Sequence, residues 1–141
     1  MKKSRSIAAL ALTLSTGLCG CSLEFQEMDV LNTSRIATEN CYSESISVIA
    51  DWTTIANRGS CTNQIIQKVL NNNFKSVRFS FDEHGYPSSL SVTVYSSEKN
   101  YRKGKAAYCF DYVSETDSEV SDKRNNIKDH PEKFKIRYRE N

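Results

Sequence analysis

Residues 43–57 read SESISVIADWTTIAN, and the layering of the whole domain follows from the period assigned to them. Ile46, Ile49, Ala50, Thr53 and Ala56 recur at spacings of 3 and 4, and Val48, Trp52 and Ile55 form a second stripe. That spacing predicts a helix buried on a wide face. Ser43 is placed to cap it, with Glu44 in the first turn and Gly59 just past the end. Ile65, Ile66, Val69 and Leu70 define a second, shorter helix, closed by the turn-forming run Asn71, Asn72 and Asn73.

Downstream the period changes from 3.6 to 2. Val77, Phe79 and Phe81 alternate with Arg78 and Ser80, and Leu90, Val92 and Val94 alternate with Ser91 and Thr93. Asp82 to Pro87 between them is turn chemistry, so a hairpin is expected. A third strand is expected from about Ala106 to Val113, with Tyr108, Phe110 and Tyr112 on one face. Phe134, Ile136 and Tyr138 alternate with Lys135, Arg137 and Arg139 as a last strand, an edge blunted by its basic residues. The expected fold class is therefore α+β, with two N-terminal helices packed on one face of a roughly four-stranded antiparallel sheet. That order resembles, in outline, the small outer-membrane-assembly lipoproteins, with no motif in common.

The N-terminus carries an address. Lys2, Lys3 and Arg5 precede a short apolar run, Ile7 to Leu14, and small residues lead to Leu18-Cys19-Gly20-Cys21. An apolar run this short, charged on one flank, reads as a cleaved signal and not as a spanning helix. The last four residues resemble the bacterial lipoprotein signal. The resemblance implies that residues 1–20 are removed, that the Cys21 thiol receives a diacylglycerol and that the new amine is acylated. Ser22 follows where Asp would imply retention in the inner membrane, so the implied location is the outer membrane, facing the periplasm. The division expected is a signal over 1–20, a lipid-anchored tether over 21–38 and one domain over 39–141, with a mobile charged loop near 114–132.

Composition narrows the function. The chain of 141 residues has 19 basic and 17 acidic side chains, and three of the basic ones leave with the signal. The remainder, 16 against 17, offers no case for nucleic acid. Hydrophobic content of 38%, with 6 Phe, 7 Tyr and 1 Trp, supports a modest core. In an oxidising compartment Cys41, Cys61 and Cys109 allow one bridge. A helix of about 14 residues would hold Cys41 and Cys61 roughly 21 Å apart, so the expected pair is Cys61–Cys109. Its loop of about 49 residues would be worth roughly 4 kcal/mol, although alternation turns Cys109 away from the face of Tyr108 and Phe110.

Chemistry is sparse. His84 and His130 lie in loops with no nucleophile signature nearby. Glu115, Asp117, Glu119 and Asp122 lack the glycine and terminal glutamate of a calcium loop. No catalytic residue, metal site, cofactor or small-molecule substrate is expected. Two surfaces remain as candidates for interaction. One is the basic connection holding Lys99, Tyr101, Arg102, Lys103 and Lys105, suited to anionic headgroups or an acidic partner. The other is the sheet face opposite the helices, where Arg78, Ser80, Ser91, Thr93, Tyr95, Asp111, Lys135 and Arg137 should project. The expected function is a non-enzymatic envelope lipoprotein that binds another envelope protein. An assembly accessory or pilotin, an inhibitor or immunity protein, and a stress component all fit. The alternative class is a lipid-anchored hydrolase or a carrier of an apolar ligand.

Overall fold

A computed structural model describes residues 27–39, 41–115 and 125–140. The helix expected over Ser43–Asn57 is not formed. Its first half is a strand, β2 (Tyr42–Ile49), paired with a preceding strand, β1 (Asp29–Ala37). Tyr42, Glu44, Ile46 and Val48 are buried while Ser43, Ser45 and Ser47 are not, a period of 2. The β-branched Ile46, Val48 and Ile49 favour the pleated conformation, and the helical spacing of the same residues is incidental. Helix formation waits for Asp51, whose carboxylate accepts from the Thr53 and Thr54 amides and starts the short α1 (Trp52–Ala56).

Asn57 then caps α2 (Arg58–Leu70), bonding the Ser60 amide at 3.1 Å. Its stripe Cys61, Thr62, Ile65, Ile66 and Val69 is buried. The hairpin expected from Val77 to Val94 is also absent. Asn72 (φ 50°) acts as a strand partner in miniature, accepting from the Phe79 amide at 2.8 Å and donating to the Phe79 carbonyl at 2.9 Å. Phe74, Phe79, Phe81 and Tyr86 pack ring to ring, and residues 81–84 form one helical turn, α3 (Phe81–His84). The alternation at 77–81 thus delivers two rings into the core without a strand.

The chain next forms β3 (Ser89–Tyr95), a turn of helix α4 (Glu98–Arg102), β4 (Tyr108–Ser114) and β5 (Phe134–Arg139). The sheet has five strands in chain order, with β2 and β3 parallel and all other neighbours antiparallel. It is a mixed sheet and not an antiparallel one. The physical cause is the helical connection. Residues 50–88 carry the chain from the far end of β2 back to its start, so β3 must run the same way. With the two-helix start goes the outline resemblance to outer-membrane-assembly lipoproteins.

One sheet face is covered. Val48, Leu90, Val92, Val94 and Phe110 are fully buried there in a cluster with Cys61, Ile65 and Val69 of α2. Thr62 lies within this layer and is satisfied by hydroxyls, 3.1 Å from Tyr108 Oη and accepting from Tyr138 Oη at 3.3 Å. Residues 29–37, within the stretch read as tether, are an edge strand. Asp29 anchors it by accepting from the amides of Val30 (2.9 Å), Lys75 (3.1 Å) and Ser76 (3.1 Å). Of the charged loop, Ile127 is fully buried and its amide donates to the Pro87 carbonyl at 3.0 Å. Residues 116–124 lie outside the described residues.

The Cys61–Cys109 bridge is corrected as well. Cys61 is buried on α2, beneath the covered face, whereas Cys109 alternates with the buried Tyr108 and Phe110 and lies on the opposite face beside Thr93. A sheet separates the two sulfurs, and no disulfide joins Cys41, Cys61 and Cys109 to one another. Burial pushes the Cys61 thiol up, against a hydrogen bond with Tyr108 that favours the thiolate. Cys61 should therefore resist alkylation until the protein unfolds, and non-reducing peptide maps should lack a Cys61–Cys109 crosslink. Recovery of that crosslink would contradict the packing.

Candidate interaction surfaces

The uncovered face of the sheet is built from odd-numbered positions of β2 to β5. Ser43, Ser45, Ser47, Ser91, Thr93, Tyr95, Cys109, Asp111, Lys135 and Arg137 project from it, as register dictates. Short hydroxyl side chains dominate its centre. Asn32, Ser34, Ser45, Ser47, Ser91 and Thr93 line a shallow trough of about 240 Å³ closed by Arg139. Ser43 and Ser89 hydroxyls lie 2.6 Å apart, Ser91 donates to Asp111, and Arg139 Nε meets Asp111 Oδ2 at 3.2 Å. Short side chains lose little rotamer freedom when covered, so such a face can be paired at low entropic cost.

The basic connection is ordered by local chemistry. Ser97 caps α4 by accepting from the Asn100 amide at 3.1 Å, and Asn100 Nδ2 donates to Ser96 Oγ at 2.8 Å. Gly104 (φ 64°) lets the chain turn back, with its amide on the Tyr101 carbonyl and the Lys105 amide on that of Asn100. Tyr101 packs edge-on against Tyr95, centroids 5.2 Å apart. Arg102 pairs with Glu98 at 3.3 Å, while Lys99, Lys103 and Lys105 are exposed. Tyr95, Lys99, Tyr101, Arg102, Lys103 and Lys105 therefore form one patch at the end of β3.

Arg137 stands on the open face of β5, where alternation puts it, whereas Arg78 and Ser80, expected on the same face, lie outside the sheet. Arg78 is exposed and lines a cleft of about 220 Å³ with Thr33, Arg35, Tyr42, Glu44 and Phe79. At the floor of that cleft Glu44 is only 3% exposed, and it accepts from Tyr42 Oη at 2.8 Å and from Thr33 Oγ1. Burial, together with the neighbouring carboxylate, pushes the Tyr42 phenol well above its ordinary range and keeps it a donor. Helical spacing concealed Glu44. At a period of 2 it is the one charged side chain among the buried positions of β2, a signal the sequence did contain.

The histidines stay at the surface. His84 Nε2 is 3.7 Å from Glu83, and His130 Nδ1 is 3.4 Å from Glu132, each a near neighbour in sequence. Neither lines the trough or the cleft. Among the described residues, no group of three or more His, Cys, Asp or Glu is placed to hold a metal ion. Cys21 lies outside the described residues.

Asp29 gives the edge strand an acid dependence. Burial alone would raise its carboxyl, but hydrogen bonds from the Ser76 and Val30 amides, the Ser76 hydroxyl and the Lys75 amide together hold it below the usual range. A lowered folded value contributes stability above about pH 4 that is lost as pH falls through the shifted value. Asp29→Asn should flatten this acid limb in a urea-unfolding series against pH. An unchanged limb would contradict the assignment.

Comparison with protein families, with curated proteins and with solved structures finds no match to this chain.

Proposed function

We propose that this chain is an outer-membrane lipoprotein, acylated at Cys21, whose folded domain is a non-catalytic binding module for another protein of the envelope. The observation that supports it most is the open sheet face. It is a shallow trough lined with small hydroxyl groups that both donate and accept, and flanked by the Tyr95–Tyr101 pair, an aromatic element of the kind that anchors interfaces. The lipoprotein signal supplies the address, and Ser22 supplies the sorting.

The test is in-cell crosslinking of the lipidated protein followed by capture from detergent-solubilised envelopes. A bulky charge in the trough, Ser47→Arg or Thr93→Arg, should abolish capture of the partner while membrane attachment is unchanged. Undiminished capture in both variants would move the interface off this face. Fractionation should place the protein with outer-membrane markers, and co-migration with inner-membrane markers would refute the sorting.

A further inference from the structure

Only five residues lie between Cys21 and Glu27, six steps along the chain with a reach of roughly 21 Å at full extension. Whatever end of the domain holds Glu27 is therefore kept close to the lipid. Register identifies what shares that end. Asp29 pairs with Ile49 of β2, Ile49 with Tyr95 of β3, Val94 with Tyr108 of β4, and Cys109 with Arg139 of β5. The basic connection, the start of α1 and the close of β5 all leave the sheet there.

The charges at this end are not evenly spent. Asp29 is turned onto the amides of Val30, Lys75 and Ser76, Asp51 onto those of Thr53 and Thr54, and Glu98 onto Arg102. Lys99, Lys103 and Lys105 stand exposed on the connection, against two exposed carboxylates at this end, Glu27 and Glu140. Trp52, the sole tryptophan of the chain, opens α1 at the same end and is 69% exposed. An indole left in water has an obvious destination beside a bilayer, since tryptophan favours the membrane–water interface.

We propose that this end of the sheet is a membrane-docking surface, with Lys99, Lys103 and Lys105 seated against anionic phospholipid headgroups and Trp52 entering the interfacial layer. The proposal rests on acylation at Cys21, which supplies the proximity. The short tether makes the docking step intramolecular, so weak contacts suffice. Docking in this way directs the Ala37 end of β1 away from the bilayer and leaves the open sheet face accessible to a partner.

Trp52 reports on its own surroundings. The lipidated full chain is reconstituted into vesicles of phosphatidylethanolamine, with and without phosphatidylglycerol, and quenching by brominated acyl chains is measured. Quenching is expected to be about threefold greater with phosphatidylglycerol. It should return to the phosphatidylethanolamine level in the triple variant Lys99→Glu, Lys103→Glu, Lys105→Glu, which alters only exposed side chains. Equal quenching in both vesicles, with Cys21 labelled and the protein floating with lipid, overturns docking alone and points the basic patch toward a protein. Absence of label at Cys21 overturns acylation, and the docking proposal falls with it.

Discussion

Cys21→Ser is expected to abolish palmitate incorporation and to transfer the protein from the membrane pellet to the soluble fraction. No helix among the described residues is long and apolar enough to cross a membrane, so on the acylation reading attachment depends on the lipid. A single acyl chain holds a protein only marginally, whereas each buried methylene adds about 0.8 kcal/mol, and the three chains of a mature lipoprotein make release negligible. The effect should therefore be close to all-or-none. Metabolic labelling with fractionation of wild type and variant measures it, and unchanged labelling in the variant would end the lipoprotein reading.

Phe110→Ala is expected to destabilise the domain by about 3–5 kcal/mol, the range for deleting a buried aromatic ring. Phe110 is fully buried in β4, the strand between β3 and β5, and its ring lies 6.2 Å from that of Tyr108 and 6.5 Å from that of Tyr138. A cavity there removes packing from the covered face of the sheet. Domains of this size have only about 5–15 kcal/mol in total, so the variant should be near the limit of folding. Urea denaturation measures the change, with Tyr95→Ala on the open face as a comparison expected to cost much less. A loss below about 1 kcal/mol for Phe110→Ala would mean that this strand does not face the core.

Where one face of an element is buried and the other wet, the residues themselves revealed it. Ile65, Ile66 and Val69 mark the buried stripe of α2, and Tyr108, Phe110 and Tyr112 the buried face of β4. The order of polar and apolar residues along Leu90 to Val94 likewise marks a strand, β3. Residues 43–57 failed because two periods coexist in them. Ile46, Ile49 and Ala50 fit a helix, Glu44, Ile46 and Val48 fit a strand, and only pairing with β1 and β3 decides. β1 itself was invisible: from Asn32 to Ala37 it is exposed, so no alternation was required of it.

The same limit applies to the surfaces. The basic connection could be read directly, because charge is a local property of Lys99 to Lys105. Its place at the same end of the sheet as Trp52 and the entry of β1 could not, since those residues are far apart in the chain and are brought to one end only through the register Asp29–Ile49–Tyr95. By itself the sequence determined a period of 2 in β3, β4 and β5 and the stripe of α2, and it is the whole basis of the address proposed for the N-terminus. The tertiary structure alone decided that β2 is a strand, that it runs parallel to β3, that Cys61 and Cys109 lie on opposite sides of a sheet, and that Glu44 is buried. Local patterning reports what a residue is asked to bury, whereas strand direction and partner depend on the path of the chain between elements, to which no window of sequence has access.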